Sequence, residues 1–471
     1  MTVRMLALAG ALAVAGCASL GDSKVQSTLR DPAALQASQA LESRAAQAAW
    51  PASDWWKAYG DPQLDALVDD ALKGNPTIAL AEARVRKADA FAREAGAAQS
   101  PRVTANAAVT RDRFTENSFF PPPYGGAWNT QPHATLDFAY EFDFWGRNRA
   151  AVRAAVGEAR AAEVDATSAR LLLAVSVVQA YLELERNYTQ RDVAQATLEQ
   201  RAKLRDLTSQ RVSAGLDSKV ELRQAETALP ETRELIARFD EAIALTRNQL
   251  AALAGAGPDR GLALARPATR AVHAGLPSSL PADLLGRRPD IAAQRLRVEA
   301  AAAGIDVAHA AFYPNISLTA YAGLQSIGLA QFLRAGSLVA GAGPALSLPV
   351  FEGGKLRAQL AGRQADYDAA VEQYNASLLE ALRQVADQVA SLRALDTRRN
   401  EQRQALASAQ DAYDLAVLRY REGLGNYLQV LSAETAVLAQ RSLGADLDAR
   451  ERVLSVNLVR ALGGGYEGVK S

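Results

Sequence analysis

RYREGLGNYLQVLSAETAVLAQRSLGADLDARERVLSVNLVRALGG runs from Arg419 to Gly464, and RVSAGLDSKVELRQAETALPETRELIARFDEAIALTRNQLAALAG runs from Arg211 to Gly255. The two stretches are copies of one pattern, 208 residues apart and aligned without a gap. Arg211 falls on Arg419, Gly215-Leu216 on Gly423-Leu424, Ala225-Glu226-Thr227-Ala228 on Ala433-Glu434-Thr435-Ala436, and Gly255 on Gly463. Each copy reads as the end of one helix, a Gly-Leu turn, and a long return helix closed by glycine. A repeat this long is a statement about architecture, and its upstream parts repeat as well. Asn75-Pro76-Thr77-Ile78 matches Arg288-Pro289-Asp290-Ile291, and Pro101-Arg102-Val103 matches Pro314-Asn315-Ile316, both 213 residues on. Phe144-Trp145-Gly146 matches Phe351-Glu352-Gly353 at a spacing of 207. The chain is two tandem units, each a long helix, a short strand pair, a very long helix, a turn and a helix. The change of spacing falls between the strands, where a loop absorbs it.

The chain has 471 residues, 49% hydrophobic and 22% charged, with 52 basic and 52 acidic side chains. That balance gives no electrostatic argument for nucleic acid or for an anionic membrane surface. Three histidines (His133, His273, His309) and one cysteine are too few for a zinc cluster or a disulfide framework, so neither metal nor cofactor is expected. Met1 to Gly16 reads as a signal peptide: Arg4, then an apolar run ending in small residues. The single cysteine, Cys17, follows it, and Val14-Ala15-Gly16-Cys17 looks like a bacterial lipobox. The expected chemistry is diacylglycerol on the thiol, cleavage before Cys17, and acylation of the new amine. Several acyl chains, at ~0.8 kcal/mol per buried CH₂, make a firm anchor. An ordinary signal peptide with a coincidental cysteine is the alternative. Ala18 in place of an aspartate implies, for lipoproteins of this kind, release to the outer membrane.

Residues 17–60 read as an acylated tether ending in a docking segment, because Trp50 to Pro62 is rich in aromatics that fix a tether to a folded body. The first repeat spans 61–255 and the second 288–464, with a proline-punctuated linker over 256–287 and a tail over 465–471. Asp61-Pro62 opens a helix, and Asn75-Pro76 opens an alanine-dense one. Val103, Ala105, Ala107 and Val109 alternate with polar or small residues, as Leu136, Phe138, Tyr140 and Phe142 do. This period of two predicts strands over about 101–110 and 135–143, with counterparts over about 314–322 and 339–350. Residues 111–134, which include Pro121-Pro122-Pro123, read as a long surface loop. Helices from about Asn148 to Ser213 and from about Lys355 to Arg421 would each extend ~95 Å at ~1.5 Å per residue. Their apolar positions are too sparse for a solid core, which suits a wide helical tube or a free coiled coil. Four strands cannot close a barrel, and open edges are excluded from lipid. Strands with one apolar and one polar face are the signature of a membrane barrel. Several copies must therefore contribute to one barrel.

Together with the lipobox, the segments DPQLDALVDDAL, NPTIALAEARV, FDFWGR, LLGRRPDIAAQRL, FYPNISL, LPVFEGGKLRAQL and RYREGLGNYLQVLSAETAVLAQR carry a family resemblance over nearly the whole chain. It resembles the TolC-like outer-membrane factors, in the acylated OprM/NodT-like branch that serves resistance-nodulation-division (RND) pumps. The resemblance implies a homotrimer in the outer membrane of a Gram-negative bacterium. Each protomer would give four strands to a twelve-stranded barrel, and the helices would build a long periplasmic barrel. A periplasmic adaptor and an RND-type inner-membrane transporter would pass small molecules to this passive exit duct, in a tripartite system. The tips at 211–220 and 419–428 would then close the periplasmic end. Their candidate gate residues are Asp217, Tyr420 and Arg421, followed by Arg211, Glu422, Asn426 and Tyr427. Many relatives are acidic near the second tip, where this chain has Gly425 and Gln429, so Asp217 is the acidic candidate here. Gly215, Leu216, Gly423 and Leu424 are the expected adaptor-contacting turns. A lipid-anchored coiled-coil scaffold without transport would leave the strand pairs without a role. An enzyme would lack a site, since paired carboxylates occur only on long helices where charge is expected.

Overall fold

A computed structural model describes residues 24–35, 39, 49–117, 119–270, 272 and 284–468. The signal peptide and Cys17 lie outside the described residues, as do residues 273–283 of the linker. The elements are α1 (Pro62–Gly74), α2 (Pro76–Ala97), β1 (Arg102–Arg113), β2 (Trp128–Phe142), α3 (Arg147–Ser213), α4 (Lys219–Leu253), α5 (Pro289–Ala310), β3 (Asn315–Gln325), β4 (Leu338–Ser347), α6 (Lys355–Arg421) and α7 (Tyr427–Ala461). The repeat is visible in their lengths. α2 and α5 have 22 residues each, α3 and α6 have 67, and α4 and α7 have 35. The linker also forms one-turn helices at Asp259–Leu262 and Leu284–Arg287.

The chain divides into two compact units, described separately. One comprises Arg84–Ala162 and Gln294–Tyr374, with the stretch up to Leu29, and holds the sheet. Its four strands pair antiparallel in the order β1-β2-β3-β4. Among the described residues, both outer strands, β1 and β4, leave an edge unpaired. The register sets Val103 opposite Phe138, Ala105 opposite Leu136, Phe138 opposite Ala320, and Leu318 opposite Pro344. Directly opposed residues share a face, so this face is apolar along Val103 to Val109 and their partners, with Arg111, Thr130 and Arg113 following at the β1–β2 loop end, and Val103, Val109, Leu136, Leu338 and Leu346 on it are exposed. The other face carries Thr104, Asn106, Thr135, Asp137, Ser317 and Thr319, and Asn106 Nδ2 donates to Asp137 Oδ2 at 2.7 Å.

β2 begins at Trp128 rather than near 135, and the loop contracts to residues 114–127. Residues Asn129 to His133 show no apolar alternation, yet their backbone continues the ladder to Arg113 opposite Trp128. β4 ends at Ser347 rather than near 350.

The second unit comprises Arg30–Ala83, Glu163–Ala293 and Asn375–Ser471. Trp55, Trp56 and Tyr59 are buried in its main core with Leu64, Leu67, Val178, Tyr181 and Leu250. This burial accounts for the aromatic richness before α1. Asp61 caps α1 by accepting from Gln63 N at 3.0 Å. In the LLGRRPDI motif, Arg288 donates to Ala461 O at 2.9 Å and Gln384 Oε1 at 3.0 Å, tying the start of the second repeat to its last two helices. A separate cluster of Leu204, Ala225, Tyr413, Tyr420, Tyr427, Val430 and Val437 fills the space near the two turns.

Candidate functional site at the helix tips

The turns joining α3 to α4 and α6 to α7 are built alike. Gly215 and Gly423 have φ of 72° and 75°, the left-handed conformation that ends a helix without a Cβ clash. Leu216 N and Leu424 N return to the carbonyls of Arg211 and Arg419 at 2.9 and 2.8 Å. Ser218 opens α4 with a reciprocal capping box to Glu221, and Asn426 opens α7 by accepting from Gln429 N at 3.0 Å.

The side chains break this symmetry. Arg211 Nε donates to Asp217 Oδ2 at 2.8 Å and its Nη2 to Oδ1 at 3.3 Å, a two-point clamp. Its Nη1 donates to Tyr420 O at 2.7 Å, and the guanidinium lies 4.5 Å over the Tyr420 ring. Tyr420 Oη donates to Asp217 Oδ2 at 2.5 Å and lies 3.1 Å from Thr208 Oγ1. Tyr420 is fully buried, and the side chains of Arg211 and Asp217 are 9% and 10% exposed. The repeat positions of Asp217, Tyr420 and Thr208 are Gly425, Val212 and Ala416, so the network exists once per chain and joins the two copies.

Burial pushes the Asp217 carboxyl up, but hydrogen bonds from Arg211 and Tyr420 and the adjacent guanidinium charge outweigh it and hold the group below the ordinary carboxylate value. Burial, then the bond to Asp217, push Tyr420 up to about 12. At neutral pH the site is thus an ionised carboxylate held by a cation and a neutral phenol.

Of the residues singled out in the sequence, Asp217, Tyr420 and Arg211 come together. Tyr427 is buried edge-on to Tyr420, with ring centres 6.1 Å apart. Asn426 serves as a helix cap, while Arg421 and Glu422 are exposed and outside the network. The gate reading named both Arg421 and Arg211, and the guanidinium in the network is that of Arg211. Leu216 and Leu424 are exposed, each beside its turn glycine.

The sequence reading missed Thr208 and a second ionic contact. Arg201 Nε donates to Glu434 Oε2 at 3.1 Å, and Arg201 Nη1 to Ala228 O and Thr232 Oγ1 at 3.1 and 2.9 Å. Glu434 belongs to the Ala-Glu-Thr-Ala segment shared by both copies. The repeat position of Arg201 is Ala409, the one signal that this pair forms only across copies.

Side chains like these latch helices to one another, and a sheet with an apolar face and open edges awaits neighbours in a membrane: the class is an outer-membrane channel protomer. A model of the outer membrane efflux protein family matches residues 67–256 and 280–464, and the chain belongs to that family. The fusaric acid resistance protein FusA of Burkholderia cepacia is 45% identical over 77% of this chain and 69% of its own. The multidrug resistance outer membrane protein MdtP of Escherichia coli K12 is 33% identical over 90% of this chain and 88% of its own. Among solved structures, the outer membrane protein VceC of Vibrio cholerae superimposes with a TM-score of 0.83 at 40% identity, covering 89% of this chain and all of that one. The chain is therefore the outer-membrane component of an efflux system, a passive duct for small molecules and not an enzyme. Its mostly helical fold with four membrane strands is that of the solved channels.

Proposed function

We propose that three copies of this chain form one duct closed at its periplasmic end by the Arg211–Asp217–Tyr420 network. A periplasmic adaptor and an RND-type inner-membrane transporter feed it, completing a tripartite system. The observation that carries the assembly is the sheet, apolar on one face and polar on the other with both edges open. In lipid such edges must be paired, and further copies of β1 and β4 can pair them. Three copies would make the twelve strands that the family resemblance implies.

The buried network at the tips carries the closure, since it joins the second hairpin to the first and would have to open if the hairpins separated. Leu216 and Leu424, exposed beside Gly215 and Gly423, present an apolar edge that suits an adaptor. Cys17 carries diacylglycerol and an N-acyl chain in this reading and anchors the mature chain to outer-membrane lipid. The cargo is a small organic molecule, in line with relatives named for resistance to fusaric acid and to multiple drugs.

Planar-bilayer conductance of the purified protein tests this reading, with wild type beside Asp217→Ala and Tyr420→Phe. Small, mostly closed currents that grow in both variants are the expected result. Large wild-type currents unchanged by substitution would overturn the closure, and no current from folded, inserted protein would overturn the duct.

A further inference from the structure

The Arg201–Glu434 contact is poorly matched for a pair so deeply placed. Glu434 is 1% exposed, and among the described residues only its Oε2 has a partner; Oε1 is buried without one. Arg201 is better provided for. Its side chain keeps 15% exposure, and its Nη1 is held by Ala228 O and Thr232 Oγ1 irrespective of Glu434. The cost of taking this pair out of water therefore falls on the carboxylate.

The groups facing Glu434 come from every helix packed there. Arg201 of α3 is the charged one, Thr232 of α4 is bound to that arginine, and Tyr413 of α6 and Tyr427 of α7 are the ionisable neighbours, both buried. The repeat counterpart of Glu434 is Glu226, 38% exposed and bridged to Arg223 on its own helix. The same Ala-Glu-Thr-Ala segment thus carries a solvated glutamate in one copy and a stranded one in the other.

We propose that Glu434 is a pH-sensing residue of the channel, one whose ionised carboxylate strains the closed state and whose protonation tightens it. This rests on the reading of the tips as the periplasmic closure. The two carboxylates would then act in opposite senses. Asp217, clamped by Arg211 and Tyr420, holds the hairpins together when ionised. Glu434, half-partnered, favours their separation when ionised, because separation returns its oxygens to water.

Burial pushes the Glu434 carboxyl up, and the Arg201 charge and hydrogen bond only partly offset it. The closed form therefore holds a proton over a pH range in which the open, solvated form has lost it. Lowering the pH through that range, from the raised value toward the ordinary 4.5, favours closure, and raising it favours opening. Each unit of difference between the two forms shifts the open–closed equilibrium about tenfold per site.

Single-channel recordings from pH 7.5 down to 4.5 decide the matter, on wild type, Glu434→Gln, Glu434→Leu and Tyr420→Phe. The expected wild-type result is an open probability that falls as the solution is acidified. Glu434→Gln, or Glu434→Leu should the amide not fold, is expected to behave at pH 7.5 like acidified wild type and to lose the pH dependence. Tyr420→Phe is expected to open more at every pH while retaining it. Glu434 variants that leak more than wild type at pH 7.5, or that keep its pH profile, overturn the proposal. If these fail while Tyr420→Phe still opens the channel, the closure stands without a sensor. If Tyr420→Phe leaves the currents unchanged, the closure reading itself is lost.

Discussion

Asp217 takes hydrogen bonds from two residues that lie on different helices, so substitutions at its partners should not be equivalent. Tyr420→Phe removes the hydroxyl that bonds Asp217 but keeps the ring under the Arg211 guanidinium. A hydrogen bond to a charged group is worth about 1.5–3 kcal/mol, so the closed state should weaken by roughly tenfold to a hundredfold. Asp217→Ala strands Arg211 as a buried, unpaired cation and should cost more, about 3–5 kcal/mol. Sensitivity of cells to a large hydrophilic antibiotic that enters through a leaking duct would rank them, Asp217→Ala above Tyr420→Phe above wild type. Equal sensitivity of all three would contradict the assignment. The pH sign follows from the lowered Asp217 carboxyl: its contribution to closure is complete above the ordinary value of 3.8 and is lost as pH falls through its lower value in the closed state. Currents from Glu434→Gln should therefore stay level over the mildly acidic range and rise only below about pH 4.

The helices that carry these residues were legible because helix and repeat patterns agreed. The Phe144-Trp145-Gly146 and Phe351-Glu352-Gly353 turns before them and the Gly-Leu turns after them locate both 67-residue helices to within a residue. Strand ends were less legible. Lipid imposes the alternation that marks a strand, whereas Asn129 to His133 extend β2 by backbone pairing and polar side-chain bonds such as Gln131 to Asp112, which leave no apolar period. The tip residues could be named from their place beside the turns, but not their pairing: Asp217 and Tyr420 stand 203 positions apart. Arg201 and Glu434 were invisible for the same reason, at 233 positions. The turns themselves can be tested. Gly423→Ala meets no neighbouring atom, so its cost is backbone strain at a φ of 75°, about 1–2 kcal/mol. Ser218→Ala removes a capping box and should cost about 1 kcal/mol. Hydrogen exchange should show faster opening of the first turn of α4 in Ser218→Ala and of the α6–α7 turn in Gly423→Ala, with the sheet unchanged. Unaltered exchange would mean that the tip packing, not the local turn chemistry, sets these ends.

At the scale of the whole molecule, the division of the sheet into a lipid face and a water face is what makes a channel of the chain, and neighbouring residues separate the two. Leu136 and Thr135 are consecutive in β2. Leu136 lies opposite Ala105 and Ala322, whereas Thr135 lies opposite Asn106 and Gly323 and bonds Asp137 at 2.9 Å. Because successive strand residues point to opposite faces, the same arginine placed at either position meets a different solvent. On the lipid side near mid-depth a charge costs about 2–4 kcal/mol per chain, while on the lumen side it is solvated and costs little. In a three-copy barrel the penalty is paid at three places, so Leu136→Arg should abolish insertion rather than weaken it. Thr135→Arg should still insert and alter only conductance and ion preference. Fractionation of outer membranes and recovery of the assembled oligomer measure the first effect, and bilayer recordings the second. Insertion of Leu136→Arg at the wild-type level would mean that the apolar face packs on protein instead of lipid. The four strands would then need a role other than the wall of a membrane barrel.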